Sequence, residues 1–209
     1  MAKTRIRDGA GTQAKILNTA EKLFSENGFF GTSIGKISKE SGVSDGLILH
    51  HYKTKDNLYK AVREQVANRY HLVLEKKGDS SPSEDNIGEM MLQLFQTAFN
   101  YFEKNRTFHR ISLWSYLEGK NDTVEKETII TTKLADLIRA GQEAGILEDD
   151  FDPVTLLTMT VGSIHYWLRY RDQFKKMLNY IESPAELDEN FQAQAAMLLR
   201  RSITRKGDQ

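Results

Sequence analysis

TSIGKISKESGVSDGLILHHY, residues 32–52, reads as two short helices around one tight turn. Ile34 and Ile37 stand three apart, the spacing of a buried helical face. Gly42 permits the positive φ that the turn requires, Val43 plugs the turn from inside, and Ser44 can cap the helix that follows. That second helix, about Ser44 to His51, turns Leu47 or Ile48 inward and keeps His50, His51 and Lys53 on its other face and end. This is the internal logic of a helix-turn-helix, whose second helix enters the major groove of DNA while groups on either side grip phosphates.

Working outward, a helix from about Thr12 to Asn27 carries Ile16, Ala20, Leu23 and Phe24 on one face, with Gly28 as a left-handed stop and Phe29 placed to fold back. Downstream, Thr54 caps a helix from about Lys55 to Lys76 whose stripe is Leu58, Val62, Val66 and Tyr70. Its length of about 33 Å can link distant sites. The three-helix unit is small and is expected to lean on this fourth helix. The segment 78–85 (GDSSPSED) reads as a loop, and further helices are expected at about 85–103, 105–118, 121–144, 153–175 and 185–204. Asp152 before Pro153 and the capping box Ser183-Pro184-Ala185-Glu186 define the last two starts. The expected fold class is all-α with about nine helices. Residues 1–54 would form the DNA-binding domain, helix 4 (about 55–76) the connector, and 79–209 a larger helical domain.

The chain has 209 residues, no cysteine and a formal net charge of zero. Disulfides, thiolate metal sites and thiol catalysis are excluded. Neither a bilayer-length apolar run nor a signal peptide is read, so a soluble, cytoplasmic protein is expected. The first 60 residues carry a net charge of +4 and the remainder −4. A basic front end suits a polyanion partner, and ordinary surface scatter would also produce it.

Ala20-Glu21-Lys22-Leu23-Phe24, Gly28-Phe29-Phe30, Thr32-Ser33-Ile34, Ile37, Gly42-Val43-Ser44, Gly46, His50-His51-Tyr52 and Thr54-Lys55-Asp56-Asn57-Leu58 follow one another in an order and spacing that resembles the DNA-binding domain of the TetR family of bacterial regulators, over about residues 12–62. The resemblance implies a recognition helix at about Ser44 to Leu49, presenting Ser44, Asp45, Gly46 and Leu47. It implies that Ser33 and Lys36 reach the backbone or adjacent bases, that His50, His51 and Tyr52 lie where members contact bases and phosphates, and that Lys55 binds a phosphate with the free N–H groups at the start of helix 4. The family usually has an aromatic residue where this chain has Leu49. Leucine cannot donate a hydrogen bond, so Leu49 is either core or a missing phosphate contact. Lys3, Arg5 and Arg7 form a basic arm, for the minor groove or for solvent.

Aromatic residues concentrate between Met91 and Tyr116. Plain core explains them, and the family precedent offers the alternative of an apolar effector cavity lined by Phe95, Phe99, Phe102 and Trp114, with His165 as polar anchor or as a buried histidine bonded to backbone. The last two helices carry Leu156, Leu157, Val161, Ile164 and Leu168, then Phe191, Ala195, Leu198 and Leu199. Small residues at Thr158, Gly162, Ala193 and Ala195 would allow close helix approach. The resemblance implies a four-helix bundle between two copies, while intrachain burial explains the stripes equally well.

Together these readings describe a ligand-responsive transcription regulator, most simply a repressor, that binds a palindromic operator as a homodimer, with double-stranded DNA and a small-molecule effector as partners and no cofactor, metal or membrane. A rival helical enzyme lacks its chemistry. Gly31-Thr32-Ser33-Ile34-Gly35 matches a nucleophile elbow by letter with no strand before it, and no Glu-x-x-His or HExxH occurs. A helical adaptor, or a small-molecule-binding protein without specific DNA binding, is the remaining alternative. Effector, operator and the sign of regulation stay open.

Overall fold

Short sequence signals place the helix ends of the front half, and the fold follows from the faces those helices bury. The computed structural model describes residues 9–76, 87–177 and 183–203. The basic arm at Lys3, Arg5 and Arg7 and the loop at 78–85 lie outside the described residues. Helix α1 spans Gly9–Asn27, α2 Ile34–Ser41, α3 Asp45–Tyr52, α4 Lys55–Glu75, α5 Ile87–Lys104, α6 Arg106–Leu117, α7 Glu125–Glu143, α8 Pro153–Met177 and α9 Pro184–Ile203. Among the described residues the secondary structure is helical throughout, as the hydrophobic periodicity requires.

The caps expected at Gly28, Ser44, Thr54, Asp152 and Ser183 are formed, and Ser33 adds one that the sequence reading did not assign. Gly28 has φ 73° and donates to Phe24 O, closing α1. Ser33 Oγ accepts from the Lys36 N–H at 3.1 Å, opening α2. Gly42, at φ 65°, closes α2, and Ser44 Oγ accepts from the Leu47 N–H. Thr54 Oγ1 accepts from Asn57 N–H at 3.1 Å, Asp152 from Thr155 N–H at 2.8 Å, and Ser183 and Glu186 form the reciprocal box. Removing one such cap costs about 1 kcal/mol. One position escapes sequence reasoning: Lys53 caps α3 at φ 65°, among the described residues the one non-glycine in that region.

The chain packs as two units. The first comprises 1–69 with 106–127, the second 70–105 with 128–209. In the first, Ile16, Ala20, Leu23 and Phe24 of α1 meet Ile37, Val43, Ile48, Leu58 and Val62 in one core. Ile48 is fully buried and Leu47 half-buried, so Ile48 is the inward residue of α3. The three-helix unit does lean on α4, and it also leans on α6. Ile111 is 2% exposed in the same core, with Phe108 packed against it. The helix expected at 105–118 thus packs in the core of the first unit. The physical reason is that α1–α4 leave Phe24, Phe29 and Tyr59 needing cover, and an amphipathic helix from later in the chain supplies it.

In the second unit α5 packs on α8 and α9. Phe191 of α9 stacks on Trp167 of α8, with centroids 4.7 Å apart, and lies 5.9 Å from Phe99 of α5. Beside them the Arg171 guanidinium joins Asp188 and Glu103, and Asp188 accepts from the Trp167 indole N–H at 2.8 Å. Leu156, Leu157 and Ile164 of the α8 stripe are spent inside this unit.

Candidate nucleic-acid interface

The two faces of α3 divide as its periodicity demands. Ile48 and Tyr52, four residues apart, point into the core, while Asp45, Gly46, Leu49 and His50 are exposed and His51 is half-buried. Tyr52 is 7% exposed, which corrects its inclusion among the residues that face DNA: one turn after Ile48, it can only be core. Burial pushes its phenol above the ordinary tyrosine range, and Gln13 offsets part of this. Leu49 is 39% exposed, so of its two readings the core one fails.

The turn brings α2 and α3 together at their N-terminal ends. A Cβ on Gly35 would stand 3.9 Å from the Asp45 carboxylate and 4.0 Å from Ser33 Oγ, so Ser33, Gly35, Lys36 and Asp45 share one surface. A Cβ on Gly46 would meet nothing within 4 Å. Glycine inside a helix costs up to about 1 kcal/mol relative to alanine, and here no intrachain contact requires it. His50 and His51 close the exposed end, their rings 5.7 Å apart edge to face.

Lys55 is placed differently from a free surface lysine. Its Nζ donates to Phe29 O and Thr32 O, both at 3.1 Å, and lies 4.0 Å from the centroid of the Phe29 ring. An ammonium has three donors, and these bonds use two. Lys36 Nζ similarly donates to Gly31 O at 3.3 Å. The loop between α1 and α2 is thus held by lysines from two helices.

A second set of anchors was invisible in the sequence, because each lies some 60–90 residues from what it holds. The Glu118 carboxylate accepts from Phe29 N–H at 2.6 Å and Phe30 N–H at 3.0 Å, and Arg110 Nε donates to Ser25 O at 2.6 Å. Arg63, 7% exposed, donates to Lys120 O, Asp122 O and the Glu127 carboxylate. Burial raises the Glu127 carboxyl above its usual range against the pull of Arg63. Tyr59, buried beneath the same loop, is pushed up to about 12. Together these contacts fix the unit that carries α3.

Comparison with known proteins bears directly on this unit. Residues 16–62 match the family described as bacterial regulatory proteins, tetR family, and residues 93–201, just over half of the chain, match the tetracyclin repressor-like C-terminal domain. The chain belongs to the TetR family. It is a DNA-binding transcription regulator, not an enzyme. It is similar to the HTH-type transcriptional regulator AcrR of Shigella flexneri, 33% identical over 99 residues, a match spanning 47% of this chain and 38% of that one. It is also similar to TtgR of Pseudomonas putida, 26% identical over 82% of this chain and 87% of that one. The fold is shared with the fatty acid degradation regulator FadR from Bacillus halodurans, at a TM-score of 0.68 and 16% identity over 90% of this chain and 93% of that one.

In this TetR-family regulator the expected effector residues part company. Trp114 belongs to the first unit, where a Cβ on Gly28 would come within 2.9 Å of its ring, which corrects its grouping with the other four. In the second unit an apolar cavity of about 50 Å3 lies between α4, α5, α7 and α8. Tyr70, Leu74, Phe95, Ala98 and Thr160 are among its walls, and of the five expected residues it is Phe95 that reaches it. Phe99 is buried against Phe191, and the His165 ring lies 4.4 Å from that of Phe102. The sequence missed Tyr70, Leu74 and Thr160, which look like ordinary stripe residues. Among the described residues no group of His, Asp or Glu could hold a metal, and no helix is long and apolar enough to cross a membrane.

Proposed function

We propose that this regulator is a ligand-responsive repressor that binds a palindromic operator as a homodimer. The observation that carries the operator reading is α3 itself: it buries Ile48 and Tyr52 and offers Asp45, Gly46, Leu49 and His50 outward from a scaffold tied down by Lys55, Glu118 and Arg110. Residues 1–54 would hold the DNA, with Ser33, Lys36, Ser44, Asp45, Gly46, Leu47, His50 and His51 at bases or phosphates. Lys55 would give its third N–H to a phosphate, beside the helix N-terminus. Leu49 would contribute only apolar contact there.

The pairing surface would lie on the exposed face of α8 and α9. Thr158, Met159, Gly162 and Tyr166 form one exposed face of α8, and Met197 and Leu198 are exposed on α9. A Cβ on Gly162 would meet nothing within 4 Å. Pairing through this face would set two recognition helices against two half-sites. Residues 79–209 would then pair the chains and house the effector, with α4 as connector. An effector that prefers the form unable to bind DNA would release the operator by about 1–3 kcal/mol, the usual range of such coupling.

The test is fluorescence anisotropy of the protein on a labelled duplex from the intergenic region beside its own gene, at several salt concentrations, against a scrambled duplex. Palindrome-dependent binding whose log K falls with log[salt] is expected. Binding equal to that of the scrambled duplex, followed by failure to select any sequence from a random pool, would leave the adaptor reading in its place.

A further inference from the structure

We infer that the cavity in the second unit is built for an uncharged, mostly hydrocarbon ligand carrying at most one hydroxyl group, and that carboxylates and amines are excluded from it. The inference rests on the ligand-responsive reading above and deepens it. Every wall residue of the cavity is uncharged, and the side-chain oxygens it offers are those of Tyr70 and Thr160. An ion entering this space would lose its hydration with no opposite charge to replace it, so it would be rejected or neutralised. Thr160 donates its hydroxyl proton to Leu156 O at 2.8 Å, which leaves the oxygen free to accept from a ligand hydroxyl.

Size sharpens the inference. The cavity holds about 50 Å3, whereas an apolar cavity of roughly 150 Å3 is the kind that takes up benzene. A ring-sized ligand must therefore push side chains aside. Met91, Leu94 and Leu134 line the space, and the unbranched Met91 is the side chain that adapts most easily. Tyr70 and Leu74 belong to α4, so the displacement acts on the helix that continues from the first unit.

The experiment titrates the full-length protein at pH 7.5 with three probes of one shape, cyclohexanol, cyclohexanecarboxylate and cyclohexylammonium, reading binding by saturation-transfer NMR and calorimetry without DNA, and operator release separately by anisotropy. Cyclohexanol should bind at least tenfold tighter than either ion. Ala98→Leu, which fills the cavity, should weaken it at least tenfold, and the nearly isosteric Thr160→Val, which preserves the fold, should weaken it by roughly three- to tenfold. Equal binding of the carboxylate, no binding of cyclohexanol to protein that still binds its operator, or unchanged affinity in both variants would overturn the inference. Cyclohexanol that binds as expected, yet leaves operator affinity unaltered, would support the site and sink the ligand-responsive repressor.

Discussion

The Glu118 carboxylate accepts a 2.6 Å hydrogen bond from the backbone N–H of Phe29, 89 residues earlier in the chain, and a second from Phe30. The pair closes the loop between α1 and α2 from outside the helix-turn-helix. It also explains Gly28: a Cβ there would come within 2.6 Å of Glu118 Oε1, at a φ of 73° that side chains avoid. Hydrogen bonds to a charged acceptor contribute about 1.5–3 kcal/mol each before solvent screening. Glu118→Ala should therefore destabilise the protein by about 2 kcal/mol and weaken operator binding. Glu118→Gln, which keeps one acceptor, should recover part of both. Urea denaturation beside anisotropy measures the two effects, and an Ala variant as stable as the parent would show that the loop holds without its clamp.

Gly46 makes the opposite trade. It sits on the exposed face of α3 with open space around it, so the folded chain gains nothing from the missing side chain. Gly46→Ala should raise stability by up to about 1 kcal/mol through helix propensity alone. If DNA approaches this face closely, the same methyl group should reduce operator affinity at least tenfold. A variant both more stable and equally tight on DNA would move the close approach elsewhere on α3.

Much of this was legible in the sequence because it is local. Caps at Ser44, Thr54 and Asp152 and the stop at Gly28 are read within a few residues of where they act, and all appear in the fold. Tyr52 was misplaced because a motif position says nothing about which way a side chain turns; the four-residue step from Ile48 does. Glu118, Arg110 and Arg63 were illegible for a different reason. Nothing local marks a glutamate as a clamp for a distant loop, and α6 resembles any amphipathic helix until its partner face is known.

Asp188 gives the second unit a pH dependence of definite sign. Burial raises its carboxyl above the usual range, offset in part by the Trp167 N–H and Arg171, and the neighbouring Glu103 raises it further. The folded state then holds the proton more tightly than the unfolded chain, where an aspartate titrates near about 3.9. The stability this gives is fully present below the unfolded value and is lost as pH rises through the folded one. Denaturation curves from pH 4 upward should therefore show this contribution declining in the parent. Asp188→Asn, which still accepts from Trp167, should flatten that decline. A variant with an unchanged profile would assign the dependence to another group.

Lys55 lets stability and DNA binding be separated at a single side chain. Its two bonds to Phe29 O and Thr32 O and its place over the Phe29 ring tie the start of α4 to the loop before α2. In the proposed operator complex its third N–H would go to a phosphate. Lys55→Met keeps most of the volume and removes every donor, leaving two carbonyls without this partner at a cost of about 1–3 kcal/mol. A lysine that only supports the loop would lower operator affinity through poorer positioning and leave the salt dependence alone. One that also meets a phosphate would reduce the slope of log K against log[salt] by about 0.9. The expected result is both: a less stable variant whose slope falls by about one contact. Loss of stability with an unchanged slope would remove Lys55 from the phosphate contacts and leave the backbone N–H groups at the start of α4 to hold that phosphate alone.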